Sequence, residues 1–107
     1  MMRVRMNKAQ EMYRRTLHGK ETVRASAEEF YNEILLDIGD RADKGFFNYY
    51  FEKNRALDFL RPHVESEVIP IFEKNGFHIT ELKSYGLFGN EQINYEVNWY
   101  QMGENEE

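Results

Sequence analysis

The chain has 107 residues, 41% of them hydrophobic and 31% charged, with a net charge of −5 and no cysteine. These values are typical of one globular domain spanning 1–107, and they exclude disulfides, thiolate metal sites and cysteine nucleophiles. The start lacks the apolar segment of a secretory signal, and no apolar run reaches the roughly 18 residues of a membrane span. We therefore expect a cytoplasmic protein without membrane contact.

The charge is divided unevenly along the chain. Residues 1–24 hold seven basic and two acidic side chains, whereas the rest hold seven basic and 17 acidic ones. The net charges are therefore +5 and −10. This asymmetry predicts a basic N-terminal segment attached to an acidic body, and it bears on the partners that each part can bind.

A long amphipathic helix is the first predicted element. Asn7 and Gln10 form a capping-box pattern at its start. One helical face then carries the apolar residues Ala9, Met12, Tyr13, Leu17, Val23, Ala27, Phe30, Tyr31, Ile34, Leu35, Ile38 and Ala42. The pattern allows one helix over about 7–43, or two helices that meet near His18 and Gly19.

Helix length links these alternatives to the oligomeric state. A 37-residue helix spans roughly 55 Å, whereas a compact domain of this size has a radius of gyration near about 13 Å. A continuous helix would project beyond its own domain and would leave part of its apolar face for another chain to cover. We favour the single helix, with residues 7–22 as an oligomerisation segment and a homodimer as the assembly.

The middle of the chain predicts a strand and a second helix. Gly45 ends the first helix, and the aromatic segment 46–52 favours a strand. Residues 53–61 form a connection with a helical turn at 57–60. The second helix begins near Pro62, places Val64, Val68, Ile71 and Phe72 on one face and Pro70 opposite it, and ends at Asn75–Gly76.

The last third predicts an antiparallel hairpin. Residues 77–85 and 93–100 read as strands, joined by a glycine-rich turn over 86–92, and the last strand alternates most clearly. We predict an α+β fold with the order α-β-α-β-β. In this fold the long N-terminal helix packs on a three-stranded antiparallel sheet with strand order 1-3-2, beside a second helix. The helices lie both on one face or one on each, and we expect 1–6 and 102–107 to be disordered.

Catalytic chemistry has no support in the sequence. His63 and Glu67 are four residues apart on a predicted helix, a spacing that is common for surface hydrogen bonds. The carboxylate pairs lie in charged, solvated stretches, and the GLFGN turn lacks the lysine and the following helix of a phosphate-binding loop. We expect a non-enzymatic protein with no catalytic residues, no metal site and no cofactor.

Binding is the remaining class of function, and two groups of residues are candidates. Aromatic side chains of the sheet are candidates for partner binding, namely Phe46, Tyr50, Tyr95 and Tyr100. The N-terminal segment is a candidate for oligomerisation or phosphate contact, through Met12, Tyr13, Arg14, Arg15, Leu17, Lys20 and Arg24. We predict protein binding, and the alternative is a nucleic-acid-binding or structural component that uses the basic segment.

The layout resembles small proteins encoded by phages and prophages of Gram-positive bacteria. The resemblance rests on the N-terminal segment 7–12, the turn Asn75-Gly76-Phe77, and a last strand that closes with a tryptophan, Val97-Asn98-Trp99. It covers about 7–101 and departs at the aromatic strand 46–51, at Pro62 and at Pro70. It implies a phage accessory protein in the host cytoplasm that inhibits or modulates a host protein, such as a defence or nucleic-acid enzyme.

Overall fold

The first element is a single long helix. The computed structural model describes residues 7–100, so the termini expected to be disordered lie outside the described residues. Helix α1 runs over Lys8–Asp43 without a break at Gly19. The Asn7 side chain accepts from the Gln10 backbone N–H at 2.8 Å, and the Gln10 side chain accepts from the Asn7 N–H at 3.0 Å. The predicted capping box is confirmed, and the two-helix alternative is excluded.

A glycine in the left-handed region ends α1. Gly45 has φ +86°, where a residue with a Cβ is strained. Its N–H donates to the Ala42 carbonyl at 3.0 Å, and the Phe46 N–H reaches back to the Arg41 carbonyl at 3.1 Å. These two bonds form the Schellman arrangement that satisfies the last carbonyls of a helix.

The segment after α1 is more varied than its pattern predicts. Strand β1 covers Asn48–Glu52 and is followed by 3₁₀ turns at Lys53–Arg55 and Arg61–His63. A π turn at Val64–Val68 then leads into helix α2, Ile69–Lys74. Pro70 accounts for the π turn, because a proline ring clashes with the carbonyl four residues earlier and a wider turn moves that carbonyl away.

The sheet has the predicted topology. Strands β2, His78–Tyr85, and β3, Glu91–Asn98, form a hairpin, and β3 lies in the centre of an antiparallel sheet with the order β1-β3-β2. Phe51 pairs with Tyr95 across β1 and β3, and Glu81 pairs with Tyr95 across β2 and β3. The predicted central position of the last strand is therefore confirmed.

The core lies between one face of the sheet and both helices. Phe51, Tyr95 and Val97 share that face, because Phe51 pairs with Tyr95 and Val97 is two residues further along β3. The buried apolar residues are Ala27, Phe30, Tyr31, Ile34, Ile38, Phe51, Ala56, Leu60, Val64, Val68, Phe72, Tyr95 and Val97. Both helices therefore cover the same face. The predicted stripe is shorter at its end, because Ala42 is exposed.

The molecule is elongated because α1 extends past this core. Its dimensions are 70 × 44 × 20 Å, and its Cα radius of gyration is 18.8 Å. A compact chain of this length has a radius of gyration of about 13 Å. Val23 is the first residue of α1 that packs against the core. Residues 8–22, which we call the arm, lie before it.

Candidate protein-binding surface

The arm exposes large apolar side chains along one helical face. Met12, Tyr13 and Leu17 are 45%, 66% and 46% exposed. They continue the face that α1 buries further along, since each lies within roughly 40° of either Phe30 or Tyr31 on the helical wheel. The apolar face of α1 therefore packs on the core from Val23 onward and is exposed before Val23. An apolar stripe without a core beneath it is typical of a surface that binds another polypeptide.

A groove lies where the arm meets the body. Its volume is about 490 Å³, and α1 supplies Thr16, Gly19, Lys20, Thr22 and Val23 to one wall. Phe59, His63 and Glu67 form the other wall, and Phe59 is 47% exposed. His63 and Glu67 both line the groove, and no hydrogen bond joins their side chains among residues 7–100. The groove therefore places Phe59 opposite the end of the arm.

Basic side chains surround the apolar stripe of the arm. Arg14, Arg15, Lys20 and Arg24 are all exposed. Within 7–100, the one ion pair of the arm joins Lys8 to Glu11 at 3.4 Å. Of the predicted set, Met12, Tyr13, Leu17 and Lys20 therefore share a face, while Arg14 and Arg15 lie on the two flanks. The homodimer expected through this helix stays a prediction.

The aromatic candidates gather near one end of β1. Phe46 and Tyr100 line a depression of about 470 Å³, and they are 46% and 54% exposed. The Arg41 guanidinium carbon lies 3.7 Å from the centroid of the Phe46 ring, a cation–π contact. Phe47, which the prediction omitted, packs edge-to-face on Tyr100 with ring centroids 5.2 Å apart. Tyr50 lies beside this group, where its hydroxyl donates to Glu96 at 3.0 Å.

Tyr95 departs from the expectation of a surface platform. It is 1% exposed, its ring centroid lies 5.2 Å from that of Phe51, and its hydroxyl donates to Glu65. Burial is the main cause that raises the pKa of Tyr95 far above its ordinary value, followed by its hydrogen bond to Glu65. Tyr95 is a core residue because its position in β3 faces the helices. It therefore contributes nothing to a binding surface.

Two polar networks tie the elements together around the core. The Arg55 guanidinium donates to the Asp37 carboxylate at 2.7 Å and to the Tyr49 hydroxyl at 2.6 Å, and Tyr49 donates to Asp37 at 2.9 Å. These hydrogen bonds, that from Arg55 first, hold the pKa of Asp37 below its ordinary value. The network joins α1 to β1 and to the turn after it. It fixes the geometry of these three segments.

The second network centres on Glu65. Its carboxylate accepts from Lys53 Nζ at 2.9 Å and from the Tyr95 hydroxyl. Partial burial alone would raise the pKa of Glu65, but these hydrogen bonds outweigh it and lower the pKa. Glu65 therefore stays ionised as the acceptor for two partners. The network anchors the π turn to the central strand.

The tip of the β2–β3 hairpin is an exposed apolar feature that was not predicted from the sequence. Leu87 and Phe88 are 100% and 91% exposed there. Gly89 has φ +78°, and the Gly86 N–H donates to the Asn90 carbonyl at 2.8 Å, so the turn is ordered by its own hydrogen bonds. The sequence does contain a signal for this exposure, namely two apolar residues flanked by glycines in a tight turn. Residues in such a turn have no neighbours to cover them.

Among residues 7–100, no group of three histidine, aspartate or glutamate side chains is arranged to hold a metal ion. Within the same residues, no helix is long and apolar enough to cross a membrane. Comparison with known protein families, with curated proteins and with solved structures finds no match. The arm and its groove are therefore the main candidate site.

Proposed function

We propose that this chain is a non-enzymatic protein-binding protein and that the arm is its contact surface. The observation that carries the proposal is the apolar stripe of Met12, Tyr13 and Leu17 on a helix that leaves its own core. An amphipathic helix of this kind packs into an apolar groove of a partner. Because the capping box already orders the helix, binding loses less conformational entropy than it would with a disordered segment.

Charge supports a protein with both apolar and charged contacts as the partner. Residues 8–24 hold five basic and two acidic side chains, a net charge of +3. Residues 25–100 hold seven basic and 14 acidic side chains, a net charge of −7. A partner with an acidic rim fits the arm, and a basic channel fits the body. A nucleic-acid enzyme has such a channel, which the body would occupy in place of nucleic acid.

The resemblance to phage-encoded proteins extends the proposal to a host protein. On this view the chain acts inside a bacterial host cell, where it inhibits or modulates a defence or nucleic-acid enzyme. The acidic body supports inhibition, since it presents the same sign of charge as a nucleic acid. This contact would weaken as salt is added, because exposed charges are screened over about 8 Å at physiological ionic strength.

A capture experiment with matched variants tests the proposal. Tagged wild type, Met12→Gln/Leu17→Gln and His18→Gln/Ala25→Gln are each incubated with a lysate of a Gram-positive bacterium, and bound proteins are identified by mass spectrometry. All four positions are exposed, so both pairs leave the fold intact, and neither pair changes the net charge. We expect a protein that wild type and the His18/Ala25 pair retain and the Met12/Leu17 pair loses. Equal retention by all three chains would contradict the proposal.

Nucleic-acid binding is the second candidate, and one observation favours it. Within 7–100, Arg14, Arg15, Lys20 and Arg24 form no ion pair, so their charges are available to phosphates. Fluorescence anisotropy with a labelled DNA duplex at 50 and 200 mM salt tests it. This function predicts that the logarithm of the binding constant falls with the logarithm of the salt concentration, with a slope of about −0.9 per phosphate contact. It also predicts that Arg14→Gln/Arg15→Gln weakens the binding. The Met12/Leu17 pair would then bind DNA as wild type does.

A further inference from the structure

The outer edge of β2 is a second unpartnered surface. β2 is an edge strand of eight residues, about 27 Å long, because the sheet order places it beside β3 alone. Among residues 7–100, no side chain bonds to its outer backbone groups. The opposite edge, β1, is shorter, and Arg41 Nε donates to its Asn48 carbonyl at 3.2 Å. β2 is therefore the longer and more open edge.

The side chains of β2 are complementary to themselves when the strand is reversed. An antiparallel pair around a two-fold axis at Leu82 places Glu81 opposite Lys83 of the second copy, and Lys83 opposite Glu81. It also pairs Thr80 with Ser84 and Ile79 with Tyr85. Opposite charges, hydroxyl pairs and aliphatic–aromatic pairs are the cross-strand pairs that stabilise antiparallel sheets.

Other registers lack this complementarity. In an antiparallel pair, facing residues must lie on the same side of the sheet. The two-fold axis must therefore pass through a residue, and other registers place it at a different residue. An axis at position 81 places two Glu81 carboxylates opposite each other, and an axis at 83 places two Lys83 ammonium groups opposite each other. An axis at 82 also brings together the Leu82 side chains, each 40% exposed, and covers Tyr85, which is 69% exposed.

We propose that β2 binds β2 of a second copy of this chain, in antiparallel register centred on Leu82, to form a continuous six-stranded sheet. The contact is isologous, as the interfaces of most two-fold dimers are. α2 packs near the first residues of β2 through Phe72 and Phe77. The two copies of α2 therefore lie at opposite ends of the joint. The arm stays exposed in this dimer, so the inference is independent of the proposed function.

Charge reversal tests the register. The full chain is studied by sedimentation velocity as wild type, Glu81→Lys, Lys83→Glu and the double variant Glu81→Lys/Lys83→Glu. Each single variant places like charges opposite each other twice, because the symmetry repeats every pair, and we expect the dimer dissociation constant to rise at least about tenfold. The double variant restores opposite charges and is expected to return within about threefold of wild type. Both positions are exposed, and circular dichroism confirms that each variant is folded.

Three outcomes would overturn the inference. One is a wild-type chain that stays monomeric up to about 0.5 mM. The second is a folded double variant that dissociates as far as the single variants. The third is a dimer that resists all three β2 variants and is lost in Met12→Gln/Leu17→Gln, which would assign self-association to the arm. Because capture of a partner by the arm is measured separately, failure of this dimer leaves the proposed function standing.

Discussion

Replacing Phe72 by alanine tests the aromatic core that supports α1. Phe72 is fully buried, and its ring centroid lies 4.7 Å from that of Tyr31, 5.8 Å from Phe51 and 5.9 Å from Phe77. Truncation of a buried phenylalanine costs about 3–5 kcal/mol, and this ring touches three others. A domain of this size has a free energy of unfolding of about 5–15 kcal/mol. We therefore expect the variant to lose at least about a fifth of its stability, and its Tm to fall by about 12–20 °C.

Urea unfolding measures this loss, with a matched control in the same chain. Trp99 is the single tryptophan, and its ring centroid lies 6.1 Å from that of Phe77, so its fluorescence reports on this region. Phe88→Ala makes the same chemical change at a position that is 91% exposed. The control should shift the free energy of unfolding by no more than about 0.5 kcal/mol. A loss below about 1 kcal/mol for Phe72→Ala, or equal losses for both variants, would refute this description of the core.

Three further predictions concern the ends of α1 and the polar networks. Gly19→Ala should stabilise the helix by about 0.5–1 kcal/mol, because alanine favours a helix and no atom lies within 4 Å of the added Cβ. Gly45→Ala should destabilise the fold by about 1–2 kcal/mol, because Gly45 has a positive φ. Thermal unfolding followed by circular dichroism compares the two variants. Asn7→Ala should lower arm helix stability by about 0.5–2 kcal/mol, and unchanged hydrogen exchange in 8–22 would contradict the observed cap. Asp37 and Glu65 have lowered pKa values in the folded state, so they stabilise the fold above their ordinary pKa values of 3.8 and 4.5, and this stabilisation is lost as the pH falls below them. The urea midpoints at pH 6 and pH 3 should therefore differ less in Asp37→Asn than in wild type. An equal difference in both proteins would count against the network.

Local patterns were enough to predict the main elements. The capping box and an apolar phase that continues through Gly19 favoured one helix but left two helices possible, because a single glycine costs a helix only about 1 kcal/mol. The regular alternation from Ile93 to Trp99 predicted the central strand, since a strand with neighbours on both sides presents one face to the core. Gly45 and Gly76 both end helices with positive φ, at +86° and +92°, as the sequence indicated.

Contacts between distant residues explain what the sequence left open. Tyr95 faces the helices from β3, and Glu65, 30 residues earlier, supplies the acceptor that its buried hydroxyl needs. The groove beneath the arm depends on where Phe59 lies in an irregular connection, and no local pattern fixes that position. The π turn arises from Pro70, and its form depends on how the turn packs on the core.

Photo-crosslinking at Tyr13 tests the arm as a binding surface most directly. The photoreactive residue p-benzoylphenylalanine is placed at position 13, on the apolar stripe, or at His18, on the opposite face, and each chain is irradiated in lysate. We predict a covalent adduct with a second, different polypeptide from position 13 and a much weaker one from position 18. Equal adducts from both positions, or no adduct from position 13, would contradict the proposed role of the arm.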